Sequence, residues 1–174
     1  MRGRNLLRCL LPAVVGMMAL ETFAQAPRYA YSLDAGERSV SVYSVDANTG
    51  MLRRRGHRLA WGLPNEGVRD PSERFFYVVT DSPAAVSAFT IDAASGDLTE
   101  IDGSPFLTGT SNDERGTRVT IHPTGRFLYV VTHSPAAVSA FTLDAASGEV
   151  TEIDGRTFLT ATSTDERGTR VTIH

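Results

Sequence analysis

The residues best suited to chemistry lie in a charged segment that the chain contains twice. Residues 113–118 read DERGTR, and residues 165–170 repeat the same six letters. Arginine holds carboxylate or phosphate through parallel hydrogen bonds, and a nearby acid or histidine can activate water. The segment therefore predicts a site for an anionic ligand. The alternative is that Asp113 and Glu114 cap turns and pair with Arg115 on a solvated loop.

Histidine is the second residue type that invites a chemical role. His133 replaces Asp81 of an otherwise similar stretch, and each is followed by Ser-Pro. We expect both positions near the site, with an incidental loop histidine as the alternative. His57 stands among the arginines of residues 53–58, which indicates a local basic edge. No two histidines have metal-ligand spacing, so we predict no metal and no cofactor.

Composition excludes several functions before any fold is assigned. The chain has 174 residues, of which 41% are hydrophobic and 21% charged, as in globular proteins. All 17 basic residues are arginine, so Schiff-base, lysine-base and Walker-type chemistry lack their lysine. The single cysteine, Cys9, excludes disulfides within the chain and Cys-rich zinc sites. A net charge of −3 provides no basic field for nucleic acid.

The first 26 residues have the pattern of a secretory signal peptide. Three arginines precede the apolar run Leu10–Leu20, and the small-residue stretch at 22–26 follows it. The run is too short to span a bilayer as a mature helix. We therefore expect a protein exported to the periplasm or the medium, with no membrane span after cleavage. A short buried N-terminal helix is the alternative.

Internal repeats organise the rest of the chain. Residues 74–122 recur at 126–174 with 40 of 49 positions identical, at an offset of 52. Residues 28–50 align with 74–96 as a diverged copy. We therefore divide the chain into a signal peptide at 1–26 and three repeat units at 27–73, 74–125 and 126–174.

Each repeat unit has the pattern of short strands separated by turns. In the third unit, aromatic and β-branched runs favour strands, which we predict at Phe127–Thr132, Val138–Leu143, Val150–Ile153 and Arg170–Ile173. Residues 144–148 have tight-turn composition, and 154–169 are predicted to be a long connection. Four strands per unit of about fifty residues is typical of propeller blades. We predict an all-β fold of about three four-stranded antiparallel blades, an incomplete β-propeller.

Function in a propeller usually sits at the axial mouth, which is built from loops at one end of the strands. The DERGTR segments and the loops at 81–82 and 133–134 are expected there. The candidate ligand-binding residues are Asp81, Glu114, Arg115, Arg118, His133, Glu166, Arg167 and Arg170. Catalytic residues are left unassigned, with Arg118, His133 and Glu114 as the candidates.

The blade sequence resembles a known family. Residues 122–130 (HPTGRFLYV), 138–144 (VSAFTLD) and 147–151 (SGEVT) are similar to the lactonase family of seven-bladed β-propellers. That family includes the propeller-type 6-phosphogluconolactonases, and the resemblance covers nearly all of residues 28–174. It implies a lactonase-type hydrolase, although these motifs describe the blade rather than the chemistry.

Two departures from the family weaken the enzyme interpretation. Its phosphogluconolactonase-like enzymes carry Pro-Arg-His at the start of one inner strand. The aligned triplets here begin at Thr117 and Thr169 and keep the arginine, but valine (Val119, Val171) replaces the histidine. His122 and His174 match the family's scaffold turn instead. In addition, the chain supplies about three blades, whereas the family has seven.

These observations leave three classes of function open. We expect an exported, non-catalytic binding module with a small sugar-lactone or glycan ligand, or an interaction scaffold, or else a lactone hydrolase. The chain length predicts a fragment of a longer propeller. The alternative is a complete chain that self-associates through exposed blade faces, with two chains closing a six-bladed ring.

Overall fold

The computed structural model describes residues 28–82, 84–108, 115–133 and 137–159, and these ranges form an all-β fold. The strands are β1 (Arg28–Asp34), β2 (Ser39–Val45), β3 (Leu52–Leu59), β4 (Leu63–Arg69), β5 (Phe75–Asp81), β6 (Ala85–Ile91), β7 (Leu98–Glu100), β8 (Phe106–Leu107), β9 (Arg115–Ile121), β10 (Phe127–His133), β11 (Ala137–Leu143) and β12 (Val150–Leu159). No helix in these ranges is long and apolar enough to cross a membrane.

All strand pairs are antiparallel, and they group into three blades. The first blade is β1-β2-β3, the second is β4-β5-β6 with β7 and β8 both on β6, and the third is β9-β10-β11-β12. The second and third blades are joined by a single strand pairing, between Asp81 and Arg115. The predicted all-β blade architecture is confirmed. The strands β4 and β9 precede residues 74 and 126 but pair with β5 and β10, so the second and third blades each begin one strand before the sequence repeat.

The central strand β5 shows why these runs are so apolar. Phe75, Tyr77 and Val79 point into a core shared with the third blade, which includes Leu128 and Phe141. The alternate residues Phe76 and Val78 join Val40 and Val42 of the first blade in a second core. A strand buried on both faces needs continuous rather than alternating hydrophobicity. Burying each such side chain stabilises the fold by about 1.5–3 kcal/mol.

The turn between the last two strands of a blade recurs three times with one geometry. Asp46, Asp92 and Asp144 each accept backbone N–H bonds from the residues two and three positions later. These bonds hold the pKa of each carboxyl below its ordinary value. The closing glycines at 50, 96 and 148 have φ of 71°, 73° and 76°, which glycine adopts without steric cost.

Two strand boundaries differ from the sequence expectation. Strand β12 runs to Leu159, although residues from 154 onward were predicted as connection; the predicted strand Arg170–Ile173 lies outside the described residues. In the second blade the equivalent stretch is broken into β7 and β8, and Pro105 stands just before β8. Proline has no N–H for a strand ladder. Thr157 occupies that position in the third blade, so pairing continues from Thr157 to Leu159.

Candidate functional site

The strands β4 and β9 are the first strands of the second and third blades. One carboxylate, that of Glu66 on β4, bonds to both the backbone and a side chain of β9. Glu66 Oε2 accepts a hydrogen bond from the backbone N–H of Val119 at 2.9 Å. Its other oxygen, Oε1, lies 3.3 Å from Nη1 of Arg118. One glutamate therefore ties the backbone of β9 to β4 and at the same time holds the arginine side chain in place.

Arg118 remains open to solvent in this arrangement. Its side chain is 57% exposed, against 35% for Glu66. The guanidinium of Arg118 forms no other hydrogen bond with a described residue, although it has five N–H donors. An exposed ion pair of this kind contributes at most about 1 kcal/mol to stability. Its value lies in orienting a guanidinium whose remaining donors can take a carboxylate or phosphate.

Three further candidates from the sequence meet near one end of the same sheet. The backbone of Arg115, at the start of β9, pairs with Asp81 on one side and with His133 on the other. Arg118 lies further along β9, opposite Val131. Strands β5, β9 and β10 thus carry four of the eight predicted residues, three with their backbones paired at one end and Arg118 further along β9. The remaining four (Glu114, Glu166, Arg167 and Arg170) lie outside the described residues.

The polar atoms at this end of the second blade are incompletely satisfied. Asp81 Oδ1 and Thr108 Oγ1 are buried and have no hydrogen-bond partner among the described residues. Thr108 donates its backbone N–H to Ala84 O at 3.2 Å, so it lies beside the loop that follows Asp81. Unsatisfied buried oxygens are uncommon in native folds, and they mark a place that can accept donors from a ligand or water.

Two of the other histidines lie away from this arrangement. His122 is at the far end of β9, where Nδ1 contacts Thr124 Oγ1 at 2.8 Å and closes a turn. His57 lies on β3 of the first blade, paired with Ser41. Among the described residues, no group of three or more His, Cys, Asp or Glu side chains could hold a metal ion.

The sequence analysis missed Glu66, although a signal for it exists. Pro71 and Pro123 both precede the second strand of a blade, and aligning them at the repeat offset of 52 places Glu66 opposite Arg118. The structure confirms this register, because Glu66 pairs with Val79 and Arg118 with Val131, which also differ by 52. An acid and an arginine at equivalent positions of neighbouring strands indicate an ion pair.

A concave pocket of about 380 Å³ lies at the opposite end of the second and third blades. Its walls include Asp70, Arg74 and Tyr77, whose polar groups already bond to turns. The pocket therefore belongs to the contact between blades, and the half-exposed guanidinium of Arg118 remains the better candidate for a ligand.

Antiparallel blades packed face to face, with polar side chains on their first strands, define the β-propeller class. The family model described as lactonase, 7-bladed beta-propeller, matches residues 22–163. The chain belongs to this lactonase family, as its blade motifs indicate.

Curated relatives carry a lactonase name but are much longer. A 6-phosphogluconolactonase of Pectobacterium carotovorum is 32% identical over 79 residues, covering 45% of this chain and 24% of the relative. One from Bacillus subtilis is 24% identical over 135 residues, covering 76% of this chain and 38% of the relative. The chain thus spans well under half the length of these relatives.

Solved structures agree on the fold. A periplasmic gluconolactonase of Pseudomonas aeruginosa has a TM-score of 0.65 at 21% identity, covering 76% of this chain and 37% of that one. A protein from Lactobacillus plantarum has a TM-score of 0.66 at 18% identity, covering 75% and 38%. At these identities the similarity establishes the propeller fold alone.

Proposed function

We propose that this chain is an exported lactonase-family propeller module that binds a small, anionic sugar-lactone or glycan derivative without hydrolysing it. The observation that carries the proposal is Arg118, a half-exposed guanidinium oriented by Glu66 on the first strand of a blade. A carboxylate or phosphate on the ligand would take the donors that Glu66 leaves free.

Calorimetric titration tests the binding proposal directly. Gluconate and 6-phosphogluconate serve as anionic probes, and glucose serves as the neutral control. Replacing Arg118 with alanine should weaken binding of the anions by roughly tenfold to a hundredfold, as expected for a lost charge-assisted pair. Arg69→Ala is the matched control, because Arg69 is also exposed on β4 and its ion pair is with Glu73 rather than Glu66. Equal loss in both variants, or no binding by the parent chain, would contradict the proposal.

Lactone hydrolysis is the second candidate function. The relatives are named 6-phosphogluconolactonase, and one oxygen of the Asp81 carboxylate is buried with no partner among the described residues, where the backbone pairs with Arg115. Against it, valine stands where the family's enzymes carry histidine after the arginine. We expect no turnover above the uncatalysed rate in a pH-stat assay with simple and phosphorylated sugar lactones. Turnover that disappears in both Asp81→Asn and Arg118→Ala would establish the hydrolase instead.

Export is proposed from the sequence of the first 26 residues. Expressed in a bacterial host, the chain should appear in the periplasm or medium without its first 24 to 26 residues. N-terminal sequencing of that fraction gives the answer. An exported protein that retains Met1 would show that the segment is not a cleaved signal peptide.

A further inference from the structure

Three side chains of the second blade hold a turn of the third blade, and we call this set, Arg74, Phe75 and Tyr77, a clamp. Arg74 donates from its guanidinium to Ala145 O and Ala146 O at 3.4 and 3.3 Å. Tyr77 donates its hydroxyl to Gly148 O at 3.0 Å, and the ring of Phe75 occupies the space where a Cβ on Gly148 would lie. The clamp bonds only to backbone carbonyls and packs against a glycine, so the other side chains of the turn can change without loss of these contacts.

The first and second blades use the same contact. Tyr31 donates to Gly96 O at 3.0 Å, as Tyr77 does to the equivalent glycine. Tyr29 reaches Ala94 O, the counterpart of the carbonyl that Arg74 reaches, and its ring covers Gly96. The contact is therefore a repeated device in which each blade clamps the turn of the blade that follows.

Within the described residues, two halves of this device are not matched with each other. Arg126, Phe127 and Tyr129 form the third clamp, and Phe127 and Tyr129 are only partly buried, whereas Tyr77 is 0% exposed. No acceptor for the Tyr129 hydroxyl exists among the described residues. The equivalent turn of the first blade, at residues 46–50, receives no clamp from a described residue, and a Cβ on Gly50 would meet nothing within 4 Å.

The outer face of the first blade is exposed beside that turn. Leu52 is 54% exposed, although its equivalents Leu98 and Val150 are 0% and 5% exposed because a preceding blade covers them. Met51, next to it, is 67% exposed. The face thus has the apolar residue, the open glycine and a turn of the kind that the clamp binds in the other two blades.

We propose that the clamp of Arg126, Phe127 and Tyr129 binds the 46–50 turn and Leu52 of a second copy of this chain. Both halves of the contact are present in one sequence, and the same contact is formed twice within the chain. The interface is head to tail, so a fixed rotation between blades either closes a ring or continues as a filament. Two copies of the three described blades would place six blades in one array, and a six-bladed ring is within the range of known propellers.

Two variants test the proposal by blocking opposite halves of the contact. Tyr129→Arg blocks the clamp, and Leu52→Arg blocks the face that receives it. Thr99→Arg is the control. Thr99 is exposed on β7, so this substitution adds the same charge outside both surfaces. Size exclusion with light scattering of the full chain at micromolar concentration gives the mass, and circular dichroism verifies the fold.

We expect the parent and Thr99→Arg chains to be dimers, and each blocked variant to be a folded monomer. An equimolar mixture of the two blocked variants should recover dimer, because one clamp and one receiving face remain intact between them. A fold defect would not be rescued by mixing. A parent chain that forms larger oligomers would also support the contact if each of the two blocked variants is a monomer. A monomeric parent chain, or an assembly unaffected by both variants, would overturn the proposal.

Discussion

Three equivalent tyrosines allow the clamp to be measured within one chain. Tyr31, Tyr77 and Tyr129 occupy the same position in successive blades, and phenylalanine removes only the hydroxyl. The background for all three is Leu52→Arg, which removes the proposed second copy. In that background the Tyr129 hydroxyl has no acceptor among the described residues, whereas the other two donate at 3.0 Å.

The burial of each tyrosine sets the expected order of the three losses in unfolding free energy. Tyr77 is fully buried, so its loss also leaves the Gly148 carbonyl without that donor, and the free energy of unfolding should fall by about 1–2 kcal/mol. Tyr31 is partly exposed and water can replace the lost bond, so about 0.5–1 kcal/mol is expected there. Tyr129→Phe should leave the stability of this background unchanged.

Urea unfolding followed by circular dichroism measures these differences, and thermal unfolding gives a second estimate. For a chain of this size, 1 kcal/mol corresponds to a shift in Tm of about 2–4 °C. Equal losses at all three positions would refute the reasoning, because burial and the acceptor would then not matter. A neutral Tyr77→Phe would show that the hydroxyl contributes nothing to the contact between blades.

Two further predictions follow from the same blades. Burial raises the pKa of Tyr31 to about 12. The stability that its protonated hydroxyl contributes is therefore complete below pH 10, the ordinary pKa of tyrosine, and is lost as the pH rises towards 12. Urea unfolding between pH 9 and 12 should show a smaller loss of stability with pH in Tyr31→Phe than in the parent chain. Gly67→Ala should reduce the free energy of unfolding by about 1–3 kcal/mol, because its Cβ would lie 2.5 Å from Cζ of Phe76. Gly56→Ala, which meets nothing within 4 Å, should leave urea unfolding nearly unchanged, and equal effects of the two substitutions would contradict this packing.

The blade architecture could be predicted because repetition and strand chemistry agree. Runs such as 75–80 are hydrophobic without alternation, which requires burial on both faces, and the structure places them between two cores. The end of β12 could not be predicted, because residues 154–159 have the composition of a loop and become a strand only through pairing with β11. Tertiary pairing overrides local composition in such segments.

The site was predicted less completely than the fold. The approach of Asp81, Arg115 and His133 follows from placing loops at one end of the strands, and the backbone pairing brings them together. Glu66 was missed because its unit has diverged; the alignment of Pro71 with Pro123 points to its position, and the register of β4 against β5 fixes it. The clamp was also missed, although an arginine or aromatic residue two or three positions before a tyrosine recurs at 28–31, 74–77 and 126–129.

Duplication of a blade explains why both halves of the proposed contact persist in one chain. The second and third units are nearly identical, so copying one unit copied its clamp and its turn together. The first unit has diverged widely, yet its turn keeps Asp46 and Gly50 in the geometry of the other two. A clamp that binds backbone carbonyls and glycine needs little else to be retained. The proposed contact with a second copy therefore needs no residue types beyond those that form the two contacts within the chain.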